Sequence, residues 1–243
     1  MRVNLAGILA ALTLLVIQGC ATYTTPAAGA NISELTDVDI ADLMKVEPAA
    51  TFPSRIAVAR IQAPGYSSRT NSGYGTGNYS VVTTRDIEEE SDFQVLADSP
   101  MIAGVAPLSR LLLPSQLDSI KDLRIAAAKL KTDMLLIYSV DTSFHIEGTS
   151  LGPLSLITLG FIPNEQVWVT STTSGILVDV RTGFVYGVAE ATAREDQHTT
   201  IWNSKNTIDE ARLISERASF KAFIDEYRGL WVNTLNQHGK AEG

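Results

Sequence analysis

The chain has 243 residues, 19 basic against 27 acidic for a net charge of −8, and 45% hydrophobic residues beside 19% charged. Those proportions are ordinary for a folded globular chain, and the acidic balance argues against nucleic acid as a partner and against a basic patch gripping anionic headgroups. A single cysteine, Cys20, excludes an internal disulfide and leaves packing, reactivity or modification as its use.

The chain opens as a targeting leader. Arg2 supplies a positive start, Leu5 to Ile17 form an apolar run of about thirteen residues, and small or polar residues follow. The run is shorter than the roughly 20 residues of a transmembrane helix. Ile17-Gln18-Gly19-Cys20 resembles the bacterial lipobox, in which an aliphatic and a small residue precede an obligatory cysteine. The resemblance implies diacylglycerol on the Cys20 sulfur, cleavage after Gly19 and acylation of the new amino terminus. Several acyl chains hold stably, since each buried CH₂ contributes about 0.8 kcal/mol. Ala21 stands where an Asp resembles the inner-membrane retention signal of enteric bacteria, which implies the outer membrane, facing the periplasm. A cysteine inside an uncleaved membrane anchor is the competing reading.

Residues 1–19 are thus expected to be a signal peptide, and residues 20–53 the lipidated cysteine and an Ala-, Thr- and Pro-rich tether. A flexible stretch of about 30 residues reaches roughly 30 Å. Within it, Leu35, Val38, Ile40 and Leu43 suit either a solvated segment or a short helix docked on the domain.

The folded part, residues 54–200, begins with the alternating strand Arg55 to Ile61. Gln62 to Ser80 is dense in Gly, Ser and Tyr, and it reads as a mobile surface loop with Tyr66, Tyr74 and Tyr79 available to a partner. Gly73, Gly75 and Gly77 lack the strand-to-helix setting of a phosphate loop. Thr84 is a candidate helix cap ahead of an acidic turn, and Phe93 to Ala97 a short strand candidate. Leu117, Ile120, Leu123, Ala127 and Leu130 recur at spacings of three and four, which predicts an amphipathic helix feeding a strand with Leu135, Ile137 and Val140 inward. Gln166 to Ala193 is β-rich and broken at Arg181-Thr182-Gly183, which predicts an antiparallel hairpin with Gly183 at positive φ. In residues 201–243, Leu213, Phe220, Ile224, Tyr227 and Trp231 form one stripe of a helix expected to pack on the domain.

The expected fold class is α/β (α+β): a mixed sheet with a long antiparallel hairpin, packed by two or three helices. The helix-to-strand join "LRIAAAKLKTDMLLIYSV" and the hairpin "GILVDVRTGFVYG", with Asp179, Thr182 and Gly183, resemble the periplasmic α/β domains of the TolB amino-terminal, curli-secretion-channel and penicillin-binding-protein-activator lipoprotein group. The chain as a whole is similar to the rhombotarget-type lipoproteins. This likeness implies an anticodon-binding-domain-like sheet.

Ser150 to Pro163, "SLGPLSLITLGFIP", carries no charge and many large apolar groups. Exposed, it would form a sizeable patch, so Leu154, Ile157, Leu159 and Phe161 are candidate partner or membrane contacts, with a buried connection as the plainer reading. No alternation over about ten residues marks a barrel strand. His145, His198 and His238 have no second ligand at metal spacing, and no nucleophile elbow, Ser-x-x-Lys or His-Glu-x-x-His occurs. Glu88 and Glu89 are adjacent and share no helix face. The expectation is a lipid-anchored binding or assembly protein of the bacterial envelope, an adaptor or regulator without catalysis, metal or cofactor. Its partners are the membrane, through Cys20, and an envelope protein or a second copy. A subunit of an oligomeric outer-membrane export channel is the alternative.

Overall fold

The computed structural model describes residues 21–24, 29, 40–146, 149–151, 156–159, 167–197 and 205–239. A βαβαβ unit organises the sheet. Strand β2 (Ser54–Gln62) is followed by helix α2 (Glu90–Ala97), strand β5 (Ile102–Pro107), helix α3 (Ile120–Lys129) and strand β7 (Met134–Ile146). Both β5 and β7 run parallel to β2, one on each side. The two crossovers therefore travel in opposite directions, and because such connections are right-handed, α2 and α3 land on opposite faces.

The remaining strands are antiparallel additions. β10 (Val167–Asp179) pairs with β7 and then with β11 (Val185–Gln197), while β4 (Ser80–Val82) pairs with the end of β2. With β8 (Thr149–Leu151) beside β7, these make a seven-stranded mixed sheet. Two small pairings stand apart from it. β3 (Thr76–Gly77) lies beside β6 (Gln116–Leu117), and β1 (Ala21–Thr24) beside β9 (Leu156–Leu159). A short helix, α1 (Ile40–Leu43), precedes the sheet, and helix α4 (Lys205–His238) closes the fold.

The central strands are apolar on both sides because both faces are covered. On one, Ala57, Ala59, Ile61, Leu135 and Ile137 pack under Leu123, Ala126 and Ala127 of α3. On the other, Ile56, Val58, Leu136, Tyr138 and Val140 meet Phe93 and Leu96 of α2 and Phe220, Phe223 and Tyr227 of α4. Alternation with period two along β2 and β7 sorts the side chains between these cores. Gly175 lets α4 come close, since a Cβ there would stand 2.5 Å from Phe223 Cζ.

The predicted hairpin, the helix through Ile120, Leu123 and Ala127 and the helical stripe through Phe220, Ile224, Tyr227 and Trp231 are present, with those four side chains of the stripe buried, while Leu117, expected on the first helix, lies in β6. Leu213 is half-buried against the same core. Asp122 begins α3 by accepting the backbone N–H groups of Asp118 and Ser119 at 3.0 and 2.9 Å, two donors a helix start would leave unpaired.

Other expectations are corrected. Phe93 to Ala97 is helix rather than strand, because Phe93 and Leu96, three apart, share one buried face. That helix is capped at Glu89, not Thr84, with Asp92 accepting the Glu89 N–H at 2.8 Å. The Gly/Tyr-rich loop is folded onto the domain: Tyr66 and Tyr79 are 2% and 0% exposed. Tyr79 keeps its ring in the core while its hydroxyl donates to Ser119 O at 2.9 Å. Tyr74 pairs its backbone with Val81 at 2.8 and 2.9 Å. Ile40 and Leu43 stay largely exposed on α1, so of the two readings of this segment, docking does not occur through them. Leu35 and Val38 lie outside the described residues.

Candidate functional site

In open sheets with parallel strands, ligands bind beyond the carboxyl ends of the strands where the winding reverses direction. Here that reversal falls between β2 and β7, and the residues paired there are Arg60 and Tyr138. Arg60 is 3% exposed, near the carboxyl end of β2 and flanked by the buried Ala59 and Ile61. Its Nη1 donates to Asp86 at 2.8 Å and to Glu88 at 3.4 Å, and Nη2 stands 3.7 Å from Glu216 of α4. Tyr138 donates its hydroxyl to Glu88 at 2.6 Å.

From α4 comes the rest of the cluster. Arg212 is fully buried, donating to Glu216 at 2.7 Å and to Asp209 at 3.1 Å, while Thr142 donates to the other Glu216 oxygen at 2.9 Å. Thr70, in the Gly/Tyr-rich loop, accepts from Arg212 at 3.2 Å and donates to Asp86 at 2.9 Å. Two loops, two strands and a helix are thereby joined by charge-assisted bonds. Burial works against a charge on Arg60, but Glu88, Glu216 and Asp86 outweigh it and hold the guanidinium above its ordinary value. Burial likewise raises the Asp86 carboxyl, yet Arg60 and Thr70 prevail and hold it below its usual range. The Arg60 Nε and Nη2 and the Tyr66 hydroxyl have no hydrogen-bond partner among the described residues. A crevice of about 30 Å³ adjoins Arg60, bordered also by Thr83, Arg85, Glu88, Phe93 and Tyr138. That is room for a water molecule or two. The carboxylates are engaged by arginine and hydroxyl groups, so the cluster is built to hold elements together.

A second polar centre sits at the hairpin turn. Asp179 is 0% exposed, accepting from the backbone of Arg181 at 2.8 Å and Thr182 at 3.0 Å and from the Tyr186 hydroxyl at 2.9 Å. The backbone of Ala49 also donates to it at 2.7 Å. Burial raises this carboxyl, but the donors from Thr182, Ala49, Tyr186 and Arg181 together bring it below its usual value. The segment ahead of β2 is thus fastened to the turn between β10 and β11.

The face of the sheet beyond α3 is polar. Thr172 meets Thr192 at 2.8 Å, Ser174 donates to Glu190 at 2.7 Å, and the Arg194 guanidinium lies 4.4 Å over the Trp168 ring, which stacks on His145 at 5.9 Å. An added Cβ on Gly29 would stand 3.2 Å from the Ser139 hydroxyl, so Gly29 itself lies against this face.

Of the residues expected to act, Gly19, Cys20, Leu154 and Phe161 lie outside the described residues. Ile157 and Leu159 are in β9, where their backbone pairs with Tyr23 and Ala21. His198 is also outside; His145 stacks on Trp168, and His238 meets the edges of Phe184 and Tyr186. Among the described residues no cluster of three or more His, Cys, Asp or Glu could hold a metal ion, and no helix is long and apolar enough to cross a membrane. The ion cluster was missed in the sequence, although it left a signal. Arg212 and Glu216 are four apart on the same stripe as Phe220 and Phe223, which a solvated pair would not be.

Fold and site together define a mixed α/β domain whose usual ligand position is filled by its own charged side chains. No family model matches the chain, and no curated protein matches it. Among solved structures it is similar to a Xanthomonas campestris protein assigned to family model DUF330, with 13% identity over 79% of this chain and 90% of that one and a TM-score of 0.38. That likeness is too distant to transfer a function.

Proposed function

We propose that the chain is a lipid-anchored periplasmic binding or assembly protein of the bacterial envelope, held on the outer membrane through Cys20 and acting as adaptor or regulator without catalysis. The observation that carries this reading is the order Arg2, apolar run, Ile17-Gln18-Gly19-Cys20. Two features support it. β1 begins at the residue after Cys20 and pairs with Leu156–Leu159, so the apolar segment is joined to the strand nearest the anchor. The position where related sheet windings take a ligand is occupied by Arg60, Glu88, Arg212 and Glu216, which suits action through surfaces. The test is Cys20→Ser in the full chain. Release from the membrane fraction, or a precursor retaining residues 1–19, is expected; membrane association and processing like those of the parent chain would overturn the reading. An assembly forming a ring in detergent would favour the export-channel subunit instead.

A further inference from the structure

Among the described residues, strand β11 ends the sheet, whose order runs β11-β10-β7-β2-β4. At thirteen residues it is far longer than the strands at the opposite edge, β4 and β5, of three and six. Long edges are templates for another strand unless they are blunted. The register slip near Leu177/Val178 twists only the beginning of β11. Beyond it, Val188, Glu190, Thr192 and Arg194 are exposed on one face, Val188 to 71%. The Ser215 hydroxyl reaches both Val169 O at 3.3 Å and Ala193 O at 3.4 Å, which puts the Ala193 carbonyl between β10 and β11. Backbone groups alternate along a strand, so Glu190, Thr192 and Arg194 turn theirs to the outer edge.

This edge is complementary to itself. When two copies meet antiparallel about Thr192, each Glu190 stands opposite an Arg194 and Thr192 faces Thr192, all in hydrogen-bonding register. Centring on Glu190 or on Arg194 instead sets like charges against each other, which disfavours the slipped registers. We propose that β11 is a homodimerisation edge, pairing with β11 of a second copy about a two-fold axis at Thr192 and continuing the sheet across both chains. An isologous contact of this kind closes on itself, and the inference does not depend on lipid at Cys20.

Cysteine cross-linking of the full chain tests it. Paired Cα atoms in this register stand about 5.5 Å apart, within disulfide range, so Thr192→Cys is expected to give a species of twice the chain mass under mild oxidation. Val188→Cys is as exposed but about 27 Å from its copy at 3.4 Å per residue, and is expected to stay monomeric. Glu190→Arg should lower the cross-link yield of Thr192→Cys several-fold, and adding Arg194→Glu should restore it. Thr192→Cys failing to cross-link, Val188→Cys cross-linking equally, or no recovery in the charge swap would each overturn the proposal. In the first case the edge is left to a strand from another protein.

Discussion

Asp179 and Gly183 show how much one turn fixes. Asp179 takes the Arg181 and Thr182 amides that close the hairpin, together with the Ala49 amide and the Tyr186 hydroxyl, and its carboxyl is depressed in the folded chain. A depressed carboxyl contributes stability that is present above its unfolded value, about 3.9, and is lost as pH falls through the folded value. The melting midpoint should therefore drop below about pH 4, with the hydrogen-exchange protection of the Ala49 amide falling there. Asp179→Asn should lower the midpoint at neutral pH and reduce this acid dependence; an unaltered acid profile in that variant would assign the loss to other carboxylates, Asp86 first. Gly183 has φ of +80°, and a Cβ there would stand 2.8 Å from Arg124 Nη1, whose guanidinium donates to Val180 O and Arg181 O at 3.0 and 2.6 Å. Gly183→Val should cost at least about 1 kcal/mol in a thermal melt, from left-handed backbone alone, and an unchanged midpoint would mean that the turn tolerates a side chain.

Among the elements, α4 and β2 are joined by charge as well as by packing. Removing one member of a buried ion network leaves its partners unpaired and costs about 3 to 5 kcal/mol, whereas an apolar residue of similar volume is often far less disruptive. Arg60→Ala should therefore lower the denaturation midpoint severely and Arg60→Met less so, measured by chemical unfolding of the full chain. Equal losses would show that volume, not charge, is what Arg60 supplies. The elements themselves were legible to different degrees. Helix α3 and the stripe on α4 stand out because spacing of three and four over several turns belongs to a helix alone. Phe93 to Ala97 was misread because five residues with few apolar positions fit both periods, and β5 was passed over because "IAGVAP" is small-sided and ends in Pro. The loop's composition resembles that of an exposed surface loop, whereas the burial of Tyr66 and Tyr79 depends on Ser119 and the β2 end lying beneath them.

For the whole molecule, mutation can divide the segment Ser150 to Pro163 into its β9 part and its flanks. Its β9 part is paired with the strand that follows Cys20, whereas Leu154 and Phe161 flank that part in sequence. Replacing Ile157 and Leu159 by Ser is expected to leave the melting midpoint of the full chain in place while weakening membrane or partner association. Replacing Leu154 and Phe161 by Ser is expected to lower the midpoint if they are core side chains, at a loss of stability of about 2 to 5 kcal/mol for each. The reverse pattern would exchange the roles of tip and flanks, and no effect from either pair would leave the segment as a plain exposed connection.

The sequence by itself determined the mixed α/β character, the hairpin and the apolar stripe on α4, because each rests on a local period or on a residue type with one conformational use. It did not determine that β5 and β7 flank β2, that Arg60, Glu88, Arg212 and Glu216 converge, or that β11 lies at the edge. Those are outcomes of strand order. Strand order follows from right-handed crossovers packing two helices on opposite faces, a condition on the closed sheet that no short window of residues contains.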